Sequence, residues 1–164
     1  MPVIATEKDA EALTLAIVAE FSADVARVWQ LWADPRRLER WWGPPTWPAT
    51  FHALDLRPGG RATYVMTGPD GTQAGGVWEI VTAEAPTSLS FEDRFADERG
   101  EPNPDMPTTH VTVTLEAIGG DVDRTRMVVT SRFESVEQME QLIAMGMEEG
   151  LREAIGQIDG LLVH

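Results

Sequence analysis

SVEQMEQLIAMGMEEGLREAIGQIDGL, residues 135–161, is the stretch that decides the fold of this chain. It opens with Ser135-Val136-Glu137-Gln138, the form of a capping box. There a serine hydroxyl accepts the N–H three residues on, and a glutamine reaches back to the start. Beyond it Met139, Leu142, Ile143, Met147, Leu151, Ala154, Ile155, Ile158 and Leu161 recur every three or four residues. That spacing predicts one amphipathic helix of about six turns. Such a helix must lay its apolar stripe on another layer. Gly146 and Gly150 sit four residues apart within it. Each costs about 1 kcal/mol relative to alanine inside a helix, so close approach to a sheet, or room for a ligand, has to offset them.

The layer for that stripe lies upstream. Residues 126–133 and 109–116 read as a hairpin joined through Gly119-Gly120-Asp121. Further strands fall at 89–95, 76–82, 61–67 and 50–56, with turns at Gly68-Pro69-Asp70-Gly71 and Arg57-Pro58-Gly59-Gly60. Short turns between consecutive strands imply an antiparallel meander. Residues 96–107 are acidic and rich in proline and read as a long exposed loop. Toward the N-terminus, Leu13, Leu15, Ile17, Ala19 and Phe21 alternate with less apolar residues, which predicts one more strand. Ser22 or Asp24 then caps a helix carrying Val25, Val28, Trp29 and Trp32 on one face. Asp34-Pro35 restarts the chain as a second short helix, with Leu38, Trp41 and Trp42 on its apolar side. Gly43-Pro44-Pro45 ends it. Residues 1–10 read as a short frayed lead. The expected class is α+β, one domain over residues 1–164.

Composition narrows the function. Hydrophobic residues make up 43% of the chain and charged residues 24%, which places it among globular domains. Without cysteine it has no disulfide, no thiolate nucleophile and no Cys-based zinc site. A net charge of −14 repels phosphate backbones and anionic lipid, so nucleic acid is not an expected partner. No apolar run reaches the roughly 18 residues of a membrane span, and residues 1–9 lack the pattern of a secretory signal. No membrane insertion is expected, and the expected location is cytoplasmic.

Several local motifs carry a family resemblance. The run Arg27-Val28-Trp29-Gln30-Leu31-Trp32-Ala33-Asp34-Pro35, continuing to Leu38-Glu39-Arg40-Trp41-Trp42-Gly43-Pro44, resembles the helix pair of the activator-of-heat-shock-ATPase-like family. That family belongs to the START-like, helix-grip (SRPBCC) superfamily. Asp55-Leu56-Arg57-Pro58-Gly59-Gly60-Arg61 is similar to its turn between the second and third strands, and Gly150-Leu151 through Ile158 lies where its closing helix runs. The resemblance implies a bent antiparallel sheet wrapped on a long C-terminal helix, with two short helices closing one end and a cavity between the layers. It also implies binding of lipid-like, hormone-like or polyketide-like molecules, and cyclisation chemistry in a few members. The family takes its name from a eukaryotic co-chaperone with a further N-terminal domain, which nothing in this chain matches. Many relatives carry tryptophan where this chain has Leu151.

Residue by residue, the expected ligand site gathers Trp47, Tyr64, Met66, Trp78, Asp93, Phe95, Met139, Ile143, Gly146, Met147 and Gly150. Trp47 follows a rigid Gly-Pro-Pro turn, and an indole offers a broad apolar face with one N–H. Trp29 and Trp32 read as core, while Trp41 and Trp42 bracket the same turn and either plug the open end of the sheet, the preferred reading, or border a ligand mouth. The methionines suit an irregular apolar pocket. Leu89, Phe91, Asp93 and Phe95 share one strand face; if it points inward, Asp93 is an acid among aromatics with a raised pKa unless an arginine pairs with it. Arg57, Arg61 and Arg94 are available in sequence. His52, in phase with Leu54 and Leu56, is expected to be partly buried, and His110 to face solvent. The histidines are scattered and show no ligand spacing, so no metal is expected. No catalytic signature appears: there is neither a phosphate loop nor a nucleophile elbow. No catalytic residue or cofactor is therefore assigned. The leading expectation is a small-molecule binder. An enzyme using Asp93, Tyr64 or His52 as acid or base, and an interaction module with a chaperone partner, stand beside it. A homodimer is left open.

Overall fold

A computed structural model describes residues 3–97 and 99–162. Strands β1 (Val3–Asp9) and β2 (Thr14–Phe21) lead into helices α1 (Val25–Ala33) and α2 (Pro35–Leu38). The meander follows: β3 (Ala49–Leu54), β4 (Arg61–Thr67), β5 (Gln73–Glu84), β6 (Ser88–Ala96), β7 (Thr108–Ile118) and β8 (Asp121–Arg132). Helices α3 (Val136–Ala144), α4 (Met147–Gly156) and α5 (Ile158–Leu161) close the chain. All eight strands form one antiparallel sheet in the order β1-β2-β8-β7-β6-β5-β4-β3. β2 and β8 pair although they lie far apart in sequence, and α1 and α2 carry the chain from β2 to the opposite edge.

The short helices start where the capping residues stand. Asp24 accepts the Arg27 N–H at 2.8 Å, and Asp34 accepts that of Arg36 at 2.9 Å with Pro35 at the first helical position. Val28, Trp29, Leu31 and Trp32 are buried on one side of α1. In β2 the alternation holds: Leu15, Ile17, Ala19 and Phe21 are buried and the residues between them are half-buried.

Four expectations are corrected. Most of the supposed lead, residues 3–9, is strand β1, which zips onto β2 at the sheet edge. Val3, Ile4 and Ala5 are apolar, the four residues after them are polar and none of the seven is fully buried, so it carries no amphipathic signal of its own. Leu13 is a turn residue with φ 58° rather than the start of β2. His52 is exposed, because the β3–β4 register shifts between Phe51 and Ala53 and a bulge breaks the phase that joined it to Leu54. Finally, the C-terminal helix is not continuous. Gly146 takes φ 93° and separates α3 from α4, a left-handed stop that suits glycine.

The break divides the interior. α4 and α5 bury Ala154, Ile155 and Ile158 in the main core, with α1, α2 and the concave sheet face. α3, capped by Ser135 as its sequence predicts, buries Met139 and Leu142 in a smaller cluster with Leu15 and Phe133. Among the described residues no helix is long and apolar enough to cross a membrane.

Candidate functional site

One end of the concave face is filled. Trp32, Trp41, Trp42, Trp78, Phe91 and Phe51 pack ring against ring, Trp78 stacked on Phe91 with centroids 4.0 Å apart. The Trp41 indole donates to the Leu31 carbonyl at 2.9 Å, and that of Trp32 to the Met127 sulfur at 3.4 Å.

The other end is open. A cavity of about 460 Å³ lies between strands β4–β8, the turn after α2 and the broken C-terminal helix. Of the expected site residues, Trp47, Tyr64, Met66, Asp93, Phe95, Gly146, Met147 and Gly150 line it. Three do not. Trp78 is fully buried in the ring cluster, and Met139 and Ile143 belong to the second core around Leu15 and Phe133. The physical reason for the last two is the helix break, which turns the apolar face of α3 toward that cluster. Trp42 and Leu151 also line the wall, as do Thr109 and Ser131, which were not among the expected site residues. Thr109 and Ser131 had a signal: each is in phase with buried neighbours, Val111 and Val113 or Val129 and Met127.

Small residues shape the floor. Tyr64 lies across Gly76, its register partner on β5, so closely that a methyl group there would overlap the phenol ring. Trp47 covers Gly68, where a Cβ would come within 2.7 Å of the indole. Gln157, at the end of α4, donates to the Gly43 carbonyl at 2.9 Å and to that of Trp41 at 3.3 Å, which ties the turn beside the cavity to the closing helix. Lys8 on β1 pairs with Glu148 in the first turn of α4 at 2.8 Å.

The polar part of the wall is small and specific. Strand register sets Trp78 opposite Asp93 and Asp93 opposite Thr109, all on the inner face. The Tyr64 hydroxyl donates to one Asp93 carboxyl oxygen at 3.0 Å. None of the three candidate arginines reaches Asp93. Arg57 pairs with Asp55 at 2.8 Å, Arg61 with Glu79 at 3.7 Å, and Arg94 with Glu92 at 3.1 Å. Burial pushes Asp93 up to about 7, and the Tyr64 hydrogen bond offsets only part of that effect. Tyr64 itself is held well above the usual phenol range, by burial first and then by the adjacent carboxyl. Trp42 and Trp78 turn their indole N–H groups toward the Tyr64 hydroxyl, yet neither completes a hydrogen bond. Trp42 thus lends its ring to the cavity wall while its N–H stays buried beside Tyr64. Among the described residues no three His, Asp or Glu side chains converge as a metal-binding group.

A bent eight-stranded antiparallel sheet gripping C-terminal helices, with a cavity between them, defines a helix-grip protein. The family described as Activator of Hsp90 ATPase homolog 1-like protein matches residues 22–163, and the chain belongs to that family. Its fold is shared by a solved protein from Arthrobacter aurescens, 58% identical over 96% of this chain and 90% of that one, with a TM-score of 0.90. Protein Ms6760 from Mycobacterium smegmatis is 48% identical over 99% of this chain and 98% of its own, with a TM-score of 0.89. A Staphylococcus epidermidis protein at 26% identity, covering 97% and 93%, has a TM-score of 0.82. No curated protein matches the chain.

Proposed function

We propose that the protein binds an apolar small molecule in the cavity between the sheet and α3–α4. The cavity itself carries this reading: its volume of about 460 Å³ lies in the range of small-molecule sites, its walls are mostly apolar, and few polar groups converge on it. A ligand burying about 250 Å² of apolar surface there gains roughly 6 kcal/mol before the costs of association. The Tyr64–Asp93 pair is the orienting group.

Nile red, a neutral apolar dye, tests this directly. It is expected to bind the folded protein and quench emission from Trp42 and Trp47. Gly150→Leu is the blocking variant. A Cβ there meets nothing closer than Pro44 Cγ at 4.0 Å, and the rest of the side chain enters the cavity. Gly146 is unsuitable, because its φ of 93° strains any other residue. The variant should stay folded and lose the dye. Unchanged affinity in a folded variant would put the site elsewhere. If wild type binds no apolar probe, a chaperone-associated interaction module becomes the better reading.

A second reading, acid–base chemistry on the bound molecule, draws support from the same pair. A carboxyl near 7 exchanges protons readily at neutral pH. Molecules retained on wild type and on Asp93→Asn from the same host distinguish the two by mass spectrometry. Equal masses favour binding alone, and a mass change favours chemistry.

A further inference from the structure

Asp93 faces the cavity, and among the described residues no cation is paired with it. Alternation along β6 sends Glu92 and Arg94 to the outer face. Arg94 borders the cavity, but its guanidinium is committed to Glu92 at 3.1 Å and Glu79 at 3.5 Å. From β4 the titratable neighbour is Tyr64. β5 presents Gly76 and Trp78, and β7 presents Thr109, while His110 beside it turns outward to Glu92 and Glu134. From α4, Glu148 is drawn away to Lys8 and Glu149 is exposed. The Tyr64 hydroxyl takes one oxygen of Asp93 and leaves the other without a partner among the described residues. Four aromatic rings, Trp42, Trp47, Tyr64 and Phe95, line the same cavity, with Trp42 and Tyr64 perpendicular at 6.1 Å. Aromatic faces attract cations, more strongly when water is excluded. An ionised carboxylate out of water needs a cation beside it. The net charge of −14 draws cations and repels anions at longer range.

We propose that the cavity selects a hydrophobic amine, a protonated nitrogen on an apolar or aromatic body, with the ammonium on the free oxygen of Asp93 among these rings. This rests on the cavity being a ligand site and names the class of ligand. A neutral molecule of the same shape forfeits the ion pair, and an anion meets the Asp93 charge.

The two kinds of ligand respond to pH in opposite directions. The ammonium needs the carboxylate form. Asp93 titrates near 7 in the free protein, so below that pH amine binding must expel its proton and weakens about tenfold per pH unit. A neutral ligand that displaces cavity water favours the protonated carboxyl, so its binding weakens as pH rises through 7.

Isothermal titration calorimetry with 2-naphthylmethylamine, 2-naphthalenemethanol and 2-naphthoate, between pH 5.5 and pH 8.5, tests the assignment. At pH 8 the amine is expected to bind at least about tenfold tighter than the alcohol, the size of a charge-assisted hydrogen bond, and the naphthoate more weakly than either. Amine affinity should fall toward pH 5.5 while alcohol affinity does not. Asp93→Asn keeps an acceptor for Tyr64 and should bring amine and alcohol to within about twofold. Alcohol binding with no preference for the amine overturns the assignment and leaves the ligand-site reading intact. Failure of all three to bind overturns both. Amine preference that persists in Asp93→Asn also overturns it. The pH profiles need only wild-type protein, so they decide the matter even if the variant does not fold.

Discussion

The two ends of the concave sheet face are built from the same strands and differ in what meets them. At one end, α1 and the turn after α2 deliver Trp32, Trp41 and Trp42 onto Trp78, Phe91 and Phe51, and the rings fill the space. At the other, the opposing surface is a helix interrupted at Gly146, with Met145, Met147, Gly150 and Leu151 on the far side of the cavity that remains. Rigid indoles make a fixed wall; thioethers and bare backbone make an adaptable one. The filled end therefore carries most of the packing, and the open end leaves a space whose wall side chains can change at little cost to the fold.

The largest test of this contrast is truncation at each end. Trp78→Ala removes a fully buried ring and is expected to cost about 4 kcal/mol, read from urea unfolding. Met147→Ala, half-exposed on the cavity wall, should cost under about 1 kcal/mol because it enlarges a space that already exists. Equal costs would erase the distinction.

A middle-sized effect concerns charge. The folded value of about 7 for Asp93 stands above its ordinary 3.8, so between those values the native state holds a proton that the unfolded chain releases. Stability contributed by this group is therefore present below about pH 4 and is lost as pH rises through 7. The full difference corresponds to roughly 4 kcal/mol, reduced by cavity water. Asp93→Asn should accordingly raise stability by about 2 kcal/mol at pH 8 and leave it nearly unchanged at pH 4. A gain that is the same at both values would remove the electrostatic cause.

The smallest test separates two glycines that look alike in sequence. Gly150→Ala sits in regular helix with room for a methyl group and should stabilise by about 1 kcal/mol. Gly146→Ala should destabilise by about 1 kcal/mol, since its φ is 93°. Opposite signs in thermal unfolding are the expected result.

That pair also shows how far the sequence could be read. The capping box at Ser135 and the spacing of Met139 through Leu161 are local signals, and both describe real helix. Gly146 fits that spacing equally well as an interior residue or a stop, because periodicity carries no φ angle. β1 was illegible for a related reason: its side chains show no buried face, and only pairing with β2 makes it a strand. At the site, alternation placed Asp93 and Phe95 on one face with Leu89 and Phe91, and the burial of Leu89 and Phe91 shows that this face points inward. Which group meets Asp93 depends on the register of β4, β5 and β6 together, and those offsets put Tyr64 there and leave Arg57, Arg61 and Arg94 elsewhere. Trp78 shares the inner face with Asp93 and still misses the cavity, since Phe91 and Trp42 pack over it.

The interruption at Gly146 has a kinetic meaning. α4 is moored at both ends, by Lys8 on Glu148 and by Gln157 on the turn after α2, whereas α3 rests on the small cluster with Leu15 and Phe133. Two independent segments can loosen at different rates where one continuous rod could not. Amide hydrogen exchange is expected to run faster in Val136–Ala144 than in Met147–Gly156.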